Sequence, residues 1–134
     1  MKLALNVVLL LVMAAACQTA AEAADPVWGK QVCDACRMLV SDPRYAAQLL
    51  DAEGERSFYD DIGCLTEALD ALPAPPRGIW VRDATGRWID ARGAHYGSSA
   101  PSPMDYGFVP EEHGALDFDA VRRTAVTKRA KAAP

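Results

Sequence analysis

The sequence predicts a small α+β protein, and three features between residues 45 and 97 support this fold class. Two short strand-forming segments flank a glycine-containing turn, which is typical of a β-hairpin. Apolar residues at helical spacing follow, and a proline-rich break separates this helix from a second pair of strand-forming segments. We therefore expect the order strand, strand, helix, strand over residues 45–84.

The first hairpin is predicted from "AQLL" (47–50) and "RSFY" (56–59), because "DAEGE" between them places Gly54 in a turn. A helix is predicted next, with Asp60 or Asp61 as its N-cap residue. Its apolar positions are Ile62, Leu65, Leu69 and Leu72, and it should end before Pro73, Pro75 and Pro76.

The second half of the chain predicts shorter elements. "GIWVRDA" (78–84) and "RWIDARGAHYG" (87–97) form a second hairpin around the turn "TGR". "DYGFVPEE" (105–112) predicts a short strand, and "HGALDF" (113–118) a further strand or a turn. Residues 118–134 predict a basic helix or tail, which is a solvated end or, as the alternative, a contact for an anionic surface or partner. Its basic residues are Arg122, Arg123, Lys128, Arg129 and Lys131.

The N-terminus has the composition of a secretion signal. Lys2 precedes an apolar run over residues 3–16 that is short for a membrane span. Cys17 follows three alanines, as in a bacterial lipobox, and would then carry a lipid anchor. Gln18 after it favours the outer membrane. An A-x-A site at residues 21–23 is the alternative cleavage site.

We therefore divide the chain into a signal and lipobox region (1–23), one α+β domain (24–117) and the basic C-terminal segment (118–134). Residues 24–32 are expected to be a short exposed lead-in. The net charge of −4 at pH 7 argues against general nucleic-acid binding. The protein is expected on the periplasmic side of a bacterial envelope, held to the membrane by its lipid.

The number of cysteines is informative for a protein of this compartment. Three cysteines, Cys33, Cys36 and Cys64, remain whether Cys17 is lipidated or removed with the signal. Three cysteines cannot all pair within one chain, and unpaired thiols in an oxidising compartment need an explanation. Metal ligation is one explanation, and a catalytic thiol is another.

The segment "CDACRM" favours metal ligation over a catalytic thiol. Cys33, Cys36 and Met38 are soft donors close together in the chain, and thiolates with thioethers select copper(I). Cys64 lies near the start of the predicted helix, a position that favours the thiolate. Met104 lies in a proline-rich loop, where it is a further candidate ligand.

Each of these residues has a plainer interpretation. A single CxxC pair can be a disulfide or a redox motif, although redox pairs usually open a helix and this one is followed by loop-forming residues. Zinc would call for a second ligand pair at matched spacing. Cys64 and Met38 can be core residues. His95 is expected as a strand residue and His113 as a loop residue, and whether a histidine completes the site stays open at this point.

Three stretches taken together resemble one family, the nitrous-oxide-reductase accessory lipoproteins (NosL family). "CDACRMLVSDPRYAAQLLDAEGERSFYDDIGCL" is similar to its CxxCGM motif, hairpin and helix start. "WVRDATGRWIDARGAHYG" and "SPMDYGFV" are similar to its later segments. The resemblance covers residues 33–109. Arg37 and Asp105 stand where that family usually has glycine, and Pro110 interrupts the family's last helix.

The resemblance implies an extracytoplasmic copper(I)-binding lipoprotein that helps copper reach the copper–sulfide centre of nitrous-oxide reductase. The protein is expected not to be an enzyme, because the sequence has no Ser-His-Asp order, P-loop or glycine-rich dinucleotide fingerprint. The resemblance also implies two small ββαβ units with the topology of organomercurial lyase, the second unit truncated. Its partners would be the copper-receiving reductase or a copper-transport ABC system. Carried over by position, the metal ligands are Cys33, Cys36, Met38, Cys64 and Met104.

Other functions remain open at this point. A periplasmic thiol–disulfide reductase would use Cys33 and Cys36, with Cys64 as the resolving thiol, and would not need Met38. A lyase suggested by topology alone carries little weight, because a fold does not define a function. A lipoprotein with a structural disulfide and one buried thiol is the last alternative.

Overall fold

The computed structural model describes residues 20–98 and 101–133. It has an α+β fold with a four-stranded antiparallel sheet, a two-stranded sheet and two helices, which confirms the predicted fold class. The four strands are β1 (Ala47–Leu50), β2 (Arg56–Tyr59), β3 (Gly78–Arg82) and β4 (Trp88–Asp90), in the order β2-β1-β3-β4. The predicted lipidation site, Cys17, lies outside the described residues.

The β1–β2 hairpin has the bounds predicted from the sequence. Asp51 holds its turn, because one carboxylate oxygen accepts the backbone N–H groups of Glu53, Gly54 and Glu55 at 2.8–3.0 Å. Gly54 has a φ of 95°, a left-handed conformation that glycine adopts without steric cost. The turn chemistry is therefore local, which explains why the sequence predicted it.

Helix α1 (Ile62–Ala71) follows the hairpin directly. Asp61 is its N-cap, and the Asp61 side chain accepts the N–H of Gly63 at 3.1 Å. The helix ends at Ala71 with Leu72 as its C-cap, before the prolines, as predicted. Ile62 and Leu65 are buried in the core beneath the sheet, so the apolar spacing in the sequence marks the buried face.

The predicted strand over residues 87–97 is wrong in its length. Strand β4 ends at Asp90, whose side chain accepts the N–H groups of Arg92 and Gly93 and so turns the chain. The residues after this turn form a separate strand in a different sheet. A side chain that can bond nearby backbone groups competes with a strand at that point.

The second sheet consists of β5 (Tyr96–Ser98) and β6 (Phe108–Pro110), which pair antiparallel. Leu116 adds an isolated bridge to Tyr96, so the segment 113–118 contributes a single pairing residue. Tyr96 is fully buried and donates its hydroxyl to the carbonyl of Ala91 at 2.6 Å. This bond ties the small sheet to the end of β4.

Helix α2 (Phe118–Ala132) begins at the N-cap Asp117 and occupies the basic C-terminal segment. Val121 and Ala125 are fully buried and bring α2 against α1. Arg122 and Arg129 both bind Asp70 of α1, at 2.7 and 3.3 Å. The segment is therefore a packed helix over the described residues. No helix in 20–98 or 101–133 has the length and apolarity needed to cross a bilayer.

The lead-in at residues 24–32 is not simply exposed, which corrects the expectation from the sequence. Trp28 packs against the core, and the guanidinium of Arg82 lies over the rings of both Trp28 and Trp88 at 5.0 and 5.3 Å. Asp25 accepts hydrogen bonds from Arg82 and from the indole of Trp88. Cation–π contacts between residues far apart in sequence leave no local pattern to detect.

Candidate metal centre

The cysteine loop, residues 33–38, is a closed turn. The N–H of Cys33 donates to the carbonyl of Met38 at 2.7 Å, and the N–H of Arg37 donates to the carbonyl of Cys33 at 3.1 Å. Arg37 has a φ of 67°, in the left-handed region that reverses the chain. As predicted, the CxxC pair lies in a loop and does not begin a helix.

Two hydrogen bonds fold the hairpin back onto the cysteine loop. The N–H of Asp34 donates to the carbonyl of Phe58 at 3.0 Å, and the N–H of Phe58 donates to the Asp34 carboxylate at 2.9 Å. Phe58 lies two residues before Asp60 and six before Cys64. The pairing therefore brings the cysteine loop to the start of α1.

The result is a four-residue cluster made of Cys33, Cys36, Asp60 and Cys64. One donor atom from each residue lies within 4.8 Å of all the others. Cys33 is fully buried, Cys64 and Asp60 are each 2 % exposed, and Cys36 is partly exposed. All three cysteines are free thiols. Among the described residues this is the one group of cysteine, histidine or acidic side chains compact enough to hold a metal ion.

The thiols differ in their protonation. A hydrogen bond from the Cys64 thiol lowers the pKa of Cys33 to about 6, against the effect of burial. The same contact, together with burial, raises the pKa of Cys64 far above its ordinary value. Burial raises the pKa of Cys36 to about 12. Cys33 is therefore the thiol of the cluster that ionises most readily.

Asp60 is the member of the cluster that sequence reasoning missed. It was considered only as an N-cap, a role that its neighbour Asp61 fills. Its Oδ1 accepts the thiol of Cys36 at 3.2 Å, whereas its Oδ2 is buried without a hydrogen-bond partner. The sequence feature that could have indicated Asp60 as a ligand is the pair of aspartates before α1. A helix needs only one N-cap residue, so the second aspartate is free for another role.

Asp61 anchors a second loop, residues 102–107, which we call the methionine loop. Its Oδ2 accepts the hydroxyl of Ser102 at 2.6 Å and the N–H of Met104 at 3.1 Å. The Tyr106 ring lies against Gly63, where a Cβ atom would fall 2.1 Å from the ring. The absence of a side chain at position 63 therefore permits this contact.

Helix α2 supports the same region from the other side. Lys128 donates to the carbonyls of Asp105 and Tyr106, at 3.1 and 2.6 Å. Arg129 donates to the carbonyl of Gly63 at 3.1 Å. The basic C-terminal residues thus fix the methionine loop against the first turn of α1, next to the cluster.

The two predicted methionine ligands lie on loops that border the cluster, with partly exposed side chains. Met38 is 48 % exposed and Met104 is 38 % exposed. Their thioethers as ligands stay a prediction. His95 and His113 are exposed and, among the described residues, belong to no cluster of potential metal ligands. His113 lies in a loop as predicted, whereas His95 lies just before β5 and not in a strand.

The cluster offers three soft donors and one hard donor in a buried position. Such a set can hold a soft or borderline metal ion, because thiolates bind these ions and the protein excludes water around them. Comparisons of the chain with family models, curated proteins and solved structures found no match. The function is therefore argued from the site and the sequence pattern.

Proposed function

We propose that the protein is an extracytoplasmic copper(I)-binding carrier. The observation that supports this function most directly is the convergence of Cys33, Cys36 and Cys64 within 4.8 Å. Copper(I) prefers thiolate donors, and three sulfurs suit its low coordination number. Met38 and Met104, on the two bordering loops, would supply thioethers to the same ion.

The uneven burial of the three thiols suits a carrier. Cys33 and Cys64 are enclosed, whereas Cys36 reaches the surface through the cysteine loop. An incoming ligand of an acceptor protein can reach the ion from the side of Cys36 and displace that sulfur first. Transfer then proceeds by exchange of one ligand at a time, with the buried pair released last.

Backbone geometry supports the resemblance to the nitrous-oxide-reductase accessory lipoproteins. Among the described residues, the non-glycine residues with positive φ are Arg37 (67°) and Asp105 (58°). These are the two positions where that family pattern has glycine. A left-handed conformation is one that glycine adopts most readily, so the backbone here fits a glycine pattern that this chain has departed from.

The finer features of the resemblance belong to this proposal. The first ββαβ unit would comprise β1, β2, α1 and β3, and the truncated second unit would contain β5, β6 and α2, in the topology of organomercurial lyase. The protein would be lipid-anchored at Cys17 on the periplasmic side of the outer membrane. It would receive copper from, or pass it to, a copper-transport ABC system or a copper-receiving reductase in nitrous-oxide reductase maturation.

A thiol–disulfide reductase is the second candidate, favoured by the close approach of Cys33 and Cys36. Reductases of this type present a reactive thiolate at the surface, at the start of a helix. Here the thiol near the surface is Cys36, which hydrogen-bonds to Asp60, while Cys33 is fully buried. The arrangement encloses the thiol with the lowered pKa instead of presenting it at the surface, which favours the carrier.

Anaerobic titration of the reduced protein with copper(I), against a chromophoric copper(I) chelator, tests the proposal. We expect one copper(I) per chain and tighter binding than zinc(II) measured in a parallel competition. An insulin-reduction assay on the same preparation serves as the control for the second candidate. Binding of zinc(II) as tight as copper(I), or rapid catalytic reduction of insulin, would contradict the carrier.

A further inference from the structure

Asp60 has an unusual environment for a carboxylate. Its side chain is 2 % exposed, and Oδ2 has no hydrogen-bond partner. Burying an unpartnered oxygen of this kind is unfavourable, and native structures avoid it unless the atom serves a purpose. Its other oxygen faces the thiol of Cys36, so the carboxylate belongs to the cluster and not to the helix cap.

We propose that Asp60 is a fourth metal donor that lets the same cluster hold zinc(II) in a closed Cys₃Asp shell. This inference rests on the proposed function in one respect, since it uses the same three thiols. It goes further by proposing that the site also binds a second class of metal ion, a divalent ion of borderline softness. Asp60 then sets how strongly the site discriminates copper(I) from zinc(II).

Coordination chemistry explains the division between the two ions. Zinc(II) favours four tetrahedral ligands and accepts carboxylate oxygen beside thiolates, whereas copper(I) gains little from a hard oxygen donor. With Zn–S near 2.3 Å and Zn–O near 2.1 Å, tetrahedral donors lie roughly 3.5–3.8 Å apart. The donors here lie within 4.8 Å, so rotation of the side chains and a small movement of the cysteine loop would complete the shell.

The negative charge of the four ligands also favours zinc(II) over copper(I). When metal binds, the protonated thiols release their protons to solvent, and the shell then carries three thiolates and one carboxylate. A divalent ion offsets twice as much of this buried negative charge as a monovalent ion does. The Asp60 carboxylate therefore stabilises zinc(II) in the cluster more than copper(I), and removing it should increase the preference for copper(I).

Metal competition on Asp60→Asn, in the full chain, tests this assignment. We expect zinc(II), and cobalt(II) as its spectroscopic probe, to bind at least about 10-fold more weakly. Copper(I) binding should stay within about 3-fold of wild type because its sulfur donors remain. Glu67→Gln is the matched control, since it removes one exposed carboxylate from helix α1, outside the cluster. It should change neither affinity.

X-ray absorption at the zinc edge gives a second readout that does not depend on how Asp60→Asn folds. The wild-type shell should contain three sulfurs and one oxygen, and Asp60→Cys should convert it to four sulfurs. An unchanged shell in Asp60→Cys, or equal loss of both ions in Asp60→Asn, would overturn the assignment. Wild-type protein that binds zinc(II) through Asp60 but no copper(I) would overturn the carrier and leave this inference standing.

Discussion

The cysteine loop and the methionine loop have similar backbone conformations but contact different residues at the start of α1. Each places a methionine beside a left-handed non-glycine residue, Arg37 before Met38 and Asp105 after Met104. Each also contacts one of two consecutive aspartates at the start of α1. The cysteine loop meets Asp60 through a thiol, and the methionine loop meets Asp61 through a hydroxyl and a backbone N–H.

The two aspartates differ in how completely their oxygens are used. Asp61 has hydrogen-bond donors on both oxygens and holds a helix end and a loop together. Asp60 leaves one buried oxygen without a donor. A saturated buried carboxylate indicates a structural role, whereas an unsaturated one beside thiols indicates a ligand. On the assignment proposed above, Asp61 is structural and Asp60 is a metal ligand, and their hydrogen-bond partners distinguish these two adjacent residues.

The largest expected effect is on the cysteine side. Cys33→Ser, Cys36→Ser and Cys64→Ser should each weaken copper(I) binding by about 100-fold, since one structural metal ligand contributes roughly 3 kcal/mol. Chelator competition on reduced, anaerobic protein measures the change. Ser41→Ala, an exposed site near the same loop, is the control and should bind normally. Full binding by both Cys33→Ser and Cys36→Ser would show that the metal lies elsewhere.

The next largest effect is expected when Asp61, which holds the methionine loop, is replaced. Asp61→Ala should lower the free energy of unfolding by about 2–3 kcal/mol, because a helix cap is lost and the donors of Ser102 and Met104 lose their acceptor. Asp60→Ala is the matched control, and it should cost less than about 1 kcal/mol because only one thiol loses its acceptor. Urea unfolding of the metal-free protein compares the two. Equal destabilisation would remove the distinction drawn between these aspartates.

Glycine at the two left-handed positions should stabilise the protein modestly. We expect Arg37→Gly to raise the unfolding free energy by about 0.5–1 kcal/mol, since relief of left-handed strain exceeds the entropy cost of glycine. Asp105→Gly should gain less, because aspartate tolerates this conformation better than arginine does. Thermal unfolding of both variants measures the order. Destabilisation by Arg37→Gly would mean that its side chain makes a needed contact.

The smallest effect concerns the thioether. Met38→Leu should weaken copper(I) binding roughly 5-fold, equal to about 1 kcal/mol, because a neutral thioether is a weaker donor than a thiolate. Leu39→Met, at the next exposed position, is the control and should leave the affinity unchanged. X-ray absorption at the copper edge checks whether the sulfur shell shrinks in Met38→Leu. An unchanged shell and affinity would confine the site to the three thiols and Met104.

Elements whose determinants lie within a few residues of one another were predicted well. The first hairpin depends on Gly54 and Asp51 in its own turn, and helix α1 on its N-cap and the prolines after it. The break between β4 and β5 was missed because Asp90 turns a stretch that otherwise has strand propensity. The local sequence pattern predicted the strand propensity of this stretch. It did not predict the hydrogen bonds from the backbone to the Asp90 side chain that end the strand.

The candidate site divides in the same way. Its three cysteines could be singled out from the expected compartment, from their number and from their donor type. Their convergence was implied by the family resemblance and not by any local pattern, because it depends on the pairing of Asp34 with Phe58 across 24 residues. Asp60 was not predicted as a donor for the same reason. Only the folded structure shows that its Oδ2 is buried without a hydrogen-bond partner.

The sequence by itself determined the soft-donor chemistry, the hairpin and the capped helix, because these depend on residue type and on neighbours within one turn of chain. The tertiary structure decided that the cysteine loop, the helix start and the methionine loop meet, and that one aspartate is saturated while the other is not. The physical reason is that long-range hydrogen bonds and burial fix which polar atoms remain without partners, and no local pattern encodes that outcome.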